Sequence, residues 1–248
     1  MATDTETAEL QSLDEFIEEG YVSEVLTTIK RGKEAAAYLC HGTKKLGHEF
    51  AVAKVYFDSE RRNFHSSAAY TEGRVILEGQ VRRAVENRST AGKRMAASMW
   101  VEHEFETLSA LGYAGCDVPE VFGSTDGAIL MEYLGTEEGA APQLQFAHMD
   151  RDEAQVVLDR ILWNIEGFMR ENVVHGDLSA FNVLYEGDGA LRIIDFPQAV
   201  DPRFSPSAQK LLERDIRNVG TYFGRYGLDL DAERMARNLW NLWKFGDL

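Results

Sequence analysis

Cysteine, proline and lysine are scarce in this 248-residue chain, and it has no long apolar run. The two cysteines, Cys40 and Cys116, fall in no metal-ligand spacing, which excludes a zinc module and a disulfide-stapled secreted scaffold. Free thiols in a reducing cytoplasm are the expectation. Five prolines and no low-complexity segment exclude a Pro-rich linker protein. No stretch of 18 apolar residues occurs, so neither a membrane-spanning helix nor a membrane partner is expected. The opening MATDTETAEL has no basic or apolar segment of the kind that begins a secretion signal. What is present is a globular balance, 44% hydrophobic and 27% charged, in a length that suits one large domain or two lobes.

The net charge of −15 argues against non-specific nucleic-acid binding by the bulk surface, but it is unevenly spread. Residues 1–24 hold eight acids and no lysine or arginine, which reads as an acidic, disordered tail over 1–20. Residues 57–94 hold eight bases against five acids and read as a partly helical or functional insert. The expected body of the protein is an N-terminal lobe over 21–133, carrying that insert, and a C-terminal lobe over 134–248.

Alternating and apolar runs predict strands at 22–30, 35–40, 50–57 and 128–135. Spacings of three and four predict helices near 95–111 and 151–171, the second capped by Asp150. Two short strands, VLY and LRII, follow, and helices near 206–225 and 231–244 end the chain. Strands first and helices last imply an α+β protein of two lobes, β-rich then mainly helical, with a cleft near 133–136.

One stretch carries the chemistry: VVHGDLSAFNVLYEGDGALRIIDFPQAVD, residues 173–201. Phosphoryl transfer needs a carboxylate for the acceptor proton, oxygen ligands for a metal that bridges phosphates, and a cation on the phosphates. His175, Asp177 and Asn182 form H-x-D-x-x-x-x-N, which places Asp177 as base and Asn182 as metal ligand. Asp195, after the apolar R-I-I, is the second metal ligand, and oxygen donors of this kind suit Mg²⁺ or Mn²⁺. His175 reads as a brace for the loop backbone rather than a catalytic base. Lys54 lies inside the apolar strand AVAKVYF, where an ammonium needs a partner. Glu104 is the first candidate and Glu102 the second. Gly32, Lys33 and Glu34 sit in a strand–turn–strand loop that could cradle phosphate, although I-K-R-G-K-E-A has only one glycine.

These motifs together resemble the RIO family of atypical protein kinases. The resemblance runs through I-K-R-G-K-E-A, A-V-A-K-V-Y, R-N-F…A-A-Y-x-E-G-R, W-V-E-H-E-F, L-M-E-Y-L-G, A-P-Q-L and H-G-D-L-S-A-F-N-V-L. The most specific element is I-I-D-F-P-Q-A-V-D-P, because this family has D-[FLV]-[PS]-Q where ordinary kinases have D-F-G. It is most similar to the compact prokaryotic members without an N-terminal winged-helix domain. It implies ATP and Mg²⁺ (or Mn²⁺) as cofactors, Lys54 on the α/β-phosphates positioned by Glu104, and Gly32, Lys33 and Glu34 in the phosphate loop. Met131, Glu132, Tyr133 and Leu134 would form the adenine hinge, Asp177 would be the catalytic acid–base group, and Asn182 and Asp195 would hold metal. In some members the metal-binding Asp is phosphorylated during ATP hydrolysis, which would make Asp195 an acceptor too. No A-P-E motif follows Asp195, in keeping with a family that lacks an activation loop.

The implied function is serine/threonine kinase or ATPase activity, with a partner on the maturing small ribosomal subunit. The basic insert would contact RNA or ATP, or accept phosphate at Ser66, Ser67, Ser89 or Thr90. The rival readings are a small-molecule phosphotransferase of the aminoglycoside or choline kinase type, which shares H-G-D-x-x-x-x-N, and a silent nucleotide-binding scaffold. The F-P-Q-A-V-D-P tail and a C-terminal half of about 115 residues speak against the first. The complete Lys54, Asp177, Asn182, Asp195 set speaks against the second.

Overall fold

The computed structural model describes residues 4–57, 90–136 and 138–248. The insert expected over 57–94 falls mostly outside them, and with it Ser66, Ser67 and Ser89. Two compact units emerge, one of residues up to 57, 90–106 and 120–133, the other of 107–119 and 134 onward.

The first unit is built on a five-stranded antiparallel sheet of β1 (Val22–Arg31), β2 (Ala35–Gly42), β3 (Phe50–Tyr56), β4 (Val121–Ser124) and β5 (Ala128–Glu132). Its spatial order is β1-β2-β3-β5-β4. β3 is central, and its residues alternate between two buried faces, which is why AVAKVYF is apolar on both sides of Lys54. Ala51, Ala53 and Val55 join Cys40, Ala128 and Leu130 on one face. Tyr56, Ile129 and Met131 meet Val101 on the other, with Val52 and Phe105 packed beside them. Val101 and Phe105 belong to helix α2 (Thr90–Tyr113).

Most of the acidic segment expected as a tail over 1–20 is helical. Residues Asp4–Glu18 form helix α1, and Leu13 and Phe16 are buried in the sheet's first face, at 4% and 1% exposure. Leu13 and Phe16 stand three apart, so both fall on one side of the helix, while Asp14 and Glu18 are exposed. The β2–β3 turn fastens the end of this helix: Thr43 Oγ1 donates to the Gly20 carbonyl at 2.6 Å, and Lys45 Nζ to the Glu19 carbonyl at 2.7 Å. Charge count concealed the two apolar positions that decide the segment's fate.

β4 was not anticipated, since VFGS is four residues long and has no alternation to read. The strand expected over 128–135 ends at Glu132. Gly135–Thr136 (β6) instead pairs with Gly139–Ala140 (β7) in a separate two-stranded ladder.

The second unit holds helices α3 (Arg151–Arg170), α4 (Ala208–Phe223) and α5 (Ala232–Phe245), which contact one another, and the hairpin β8 (Val183–Gly187) with β9 (Ala190–Ile193). Asp150 caps α3 as expected, its carboxylate accepting from the amides of Asp152 and Glu153 at 2.9 Å. Such a cap stabilises a helix by about 1 kcal/mol. The core stripe of α3 is Val157, Leu158, Ile161, Ile165 and Phe168, and that of α4 is Leu212, Ile216, Val219 and Phe223. Among the described residues no helix is long and apolar enough to cross a membrane.

Candidate active site

In the first unit, Lys54 and Glu104 meet. Lys54 Nζ lies 2.8 and 3.0 Å from the two carboxylate oxygens of Glu104, which is 1% exposed. Glu102, the alternative partner, is exposed on the same helix. Lys54 stands opposite Ala37 on β2 and Ile129 on β5, so it shares the α2-facing side of the sheet with Ile129 and Met131. Gly32, Lys33 and Glu34 form the β1–β2 connection. It is closed by Gly32 N donating to the Ala35 carbonyl and Phe57 N donating to the Glu34 carbonyl, both 2.9 Å. Gly32 has no left-handed backbone, and a Cβ there would meet only the Ala35 carbonyl, at 3.4 Å. The protein's own packing therefore does not require glycine at 32. Met131 and Glu132 end β5, Tyr133 is the last residue of the first unit, and Leu134 begins the final segment of the second.

In the second unit, one polar network shapes the loop 175–182. Asp177 is exposed between buried Gly176 and Leu178. Its carbonyl accepts from Asn182 Nδ2 at 2.9 Å, so the amide oxygen of Asn182 is the atom of that side chain that could hold a metal. Ile194 N donates to the Asn182 carbonyl at 2.9 Å, which ties the residue before Asp195 to the loop. His175 spans the same gap, with Nε2 at 3.1 Å from the Ile194 carbonyl and Nδ1 accepting from the Asp177 amide at 3.3 Å. One nitrogen donates and the other accepts, so the ring braces the backbone as a neutral imidazole.

Gly176 is required by geometry. Its φ is +78°, and a Cβ would lie 2.6 Å from the Gln198 carbonyl. The His-Gly-Asp wording follows from that close approach. Asp195 has φ +73°, a left-handed backbone that costs a non-glycine residue about 1 kcal/mol. It is held between anchors. Ile194 is bonded on one side, and on the other Phe196 is fully buried against the rings of His175 (4.5 Å) and Phe168 (5.4 Å). Pro197 follows with a fixed φ and no amide hydrogen.

The residue that sequence reading missed is Asp215, on the apolar side of α4 between Leu212 and Val219. Its two oxygens accept from the amides of Gly176 (2.7 Å) and Leu178 (3.0 Å), one on each side of Asp177. Asn218 Nδ2 donates to the Leu178 carbonyl at 3.0 Å, and Arg214 donates to the Gly176 carbonyl. An aspartate inside a helix's apolar stripe was the available signal, because such a group is kept only where it has partners. A second brace reaches β9. Ile193 N donates to the Asp117 carbonyl at 2.7 Å, and the Asp117 carboxylate is held by Arg160 and by buried Asn164. Burial opposes the Asp117 charge, but those bonds outweigh it and hold the carboxyl below its ordinary value.

Burial pushes Asp215 up to about 7 from 3.8, against the pull of the two amides and Arg214. The folded chain therefore keeps a proton that the unfolded chain releases. This group's contribution to stability is fully present below about pH 4 and is lost as pH rises through about 7. Denaturant unfolding at pH 5 and pH 8 is expected to show wild-type stability falling by roughly 2 kcal/mol relative to the Asp215→Asn chain. Parallel pH profiles for the two chains would contradict it.

An antiparallel sheet with a buried Lys–Glu pair and a helical unit carrying the H-x-D-x-x-x-x-N loop define a protein-kinase-like α+β fold. The RIO domain family matches residues 38–235, and the chain belongs to it. The RIO-type serine/threonine-protein kinase Rio1 of Thermoplasma acidophilum is 33% identical over 137 residues, covering 55% of this chain and 70% of that one. The Rio1 of Haloferax volcanii is 28% identical, covering 92% of this chain and 73% of its own. The serine/threonine-protein kinase RIO1 of Chaetomium thermophilum is 30% identical over 86% of this chain, which spans only 42% of that relative. Among solved structures, the Rio2 kinase–ADP/Mg²⁺–phosphoaspartate complex from Chaetomium thermophilum matches with TM-score 0.65 and 22% identity. That match covers 90% of this chain and 65% of the other.

Proposed function

We propose that this protein is a RIO-type serine/threonine kinase and ATPase that moves the γ-phosphoryl group of ATP to a protein hydroxyl, its own included, or to water. The observation that carries the reading is the bonded loop in which Asn182 holds the Asp177 carbonyl while its own carbonyl holds Ile194. Asp177 accepts the acceptor's proton as it attacks. Lys54, positioned by Glu104, contacts the α/β-phosphates. Gly32, Lys33 and Glu34 line the phosphate loop, where the missing Cβ at 32 leaves room for a close anion. Met131, Glu132, Tyr133 and Leu134 take the adenine.

The donor set fits Mg²⁺ or Mn²⁺. Asn182 and Asp195 offer hard oxygens and no sulfur or imidazole, and such ions complete their shells with phosphate and water. Held by Asn182 and Asp195, the ion would neutralise the charge that builds on the phosphates. Buried, unpaired Cys40 and Cys116, both pushed up to about 11 mainly by burial, support a reducing cytoplasm as the working compartment. The family resemblance is the ground for proposing the small ribosomal subunit as partner.

Incubation of the purified full chain with γ-labelled ATP tests the reading. Label is expected on the protein or as free phosphate with Mg²⁺ or Mn²⁺, to be lost on chelation with EDTA, and to rise with ribosomal particles if they are the partner. Transfer to an aminoglycoside or choline instead would identify a small-molecule kinase.

A further inference from the structure

The loop I-K-R-G-K carries three bases around one glycine, and the sheet separates them. Arg31 turns to the α1 side, where its guanidinium lies 4.7 Å over the Phe57 ring and donates to the Tyr38 hydroxyl at 3.1 Å. Tyr38 packs on that side with Leu13 and Phe16. Lys30 is the neighbour of Arg31 on an extended strand and so points the other way. The register confirms the side: Lys30 stands opposite Ala37, Ala37 opposite Lys54, and Lys54 opposite Ile129. Directly opposed residues share a face. Lys30, Ala37, Lys54 and Ile129 therefore form one cross-strand row on the α2-facing side.

The charges along that row are unequal. Lys54 is neutralised by the buried Glu104 carboxylate at 2.8 Å. Lys30 is exposed and has no ion pair or side-chain hydrogen bond among the described residues. Two strand spacings separate the lysine backbones, about 9.6 Å, and either four-carbon stem can reach the space between them. The residue between is alanine, half-exposed, whose methyl group is the smallest side chain that could stand between the two lysines. A nucleoside triphosphate brings several negative charges to a chain of net charge −15, and the Lys54–Glu104 pair adds no net positive charge to meet them.

We propose that Lys30 is a second phosphate-binding cation, reaching over Ala37 to the phosphates that Lys54 holds from the other side, and that it favours tri- over monophosphates. This rests on the reading that ATP is the substrate. The test is equilibrium binding of Mg·ATP and of AMP to the full chain and to its K30M, K30R and K44M forms. K44M removes one exposed lysine from the β2–β3 turn and controls for overall charge. The K30M change is expected to weaken Mg·ATP about tenfold and to leave AMP within about twofold. K30R should restore most of the loss, and added salt should narrow the gap. Unchanged Mg·ATP binding by K30M, equal losses for ATP and AMP, or an equal effect of K44M would each overturn the role of Lys30 while leaving the kinase reading intact. A wild-type chain that binds no Mg·ATP overturns both.

Discussion

Replacing Lys54 with methionine is expected to lower folding stability by about 3 kcal/mol and to remove ATP turnover. The two losses have different causes. Glu104 is 1% exposed, and its carboxylate is met by Lys54 at 2.8 and 3.0 Å. Taking away the ammonium removes the Lys54 bonds from a buried carboxylate on the side of the sheet that also holds Val52, Tyr56, Val101, Ile129 and Met131. A buried pair gains little over apolar residues of the same size, yet costs several kcal/mol when half of it is removed. The double change Lys54→Met with Glu104→Leu should therefore recover most of the stability in a denaturant titration. Turnover should stay absent, because the cation assigned to the α/β-phosphates on β3 is gone, whatever Lys30 contributes. A Lys54→Met chain as stable as the wild type would show that the pair does not bear on folding, and a double variant that hydrolyses ATP would remove Lys54 from the catalytic set.

Asp177→Asn is expected to reduce phosphate turnover by about 10³-fold, with the melting temperature unchanged. The carboxylate is exposed, and what shapes the loop passes through other atoms: the 177 carbonyl and amide, the Gly176 and Leu178 amides on Asp215, and the His175 ring. An asparagine side chain leaves all of these in place and removes the negative charge and the ability to take a proton. Turnover within about tenfold of wild type would make Asp177 a positioning residue at most. The same measurement on Asp215→Ala separates the two roles, since losing that buried acceptor leaves two amides unsatisfied and should lower stability as well as rate.

Much of the site could be read in order along the chain, because phosphoryl transfer constrains residue types within short segments. H-x-D-x-x-x-x-N is one turn of loop, and its side chains converge through local bonds such as Asn182 to the Asp177 carbonyl. The Lys54–Glu104 contact spans 50 residues and was still legible, because an ammonium in an apolar strand demands a carboxylate and the acids of α2 lie together at Glu102, Glu104 and Glu106. Asp215 was not legible in the same way. It lies 39 residues from Gly176, and neither its helix nor the loop announces that the two will touch. The helix of residues 4–18 was misread because acids outnumber its apolar positions, although two buried side chains suffice to dock it.

By itself, then, the sequence determined the α+β class, the order of most strands and helices, and the types of group at the candidate site, since these depend on periodicity and on local spacing. Tertiary structure alone decided which side of the sheet each base of I-K-R-G-K occupies, that Gly176 must be glycine because the Gln198 carbonyl approaches it, and that a buried Asp215 shapes the loop around Asp177. Those facts depend on register and on contacts between distant segments, which burial selects only once the chain has closed on itself.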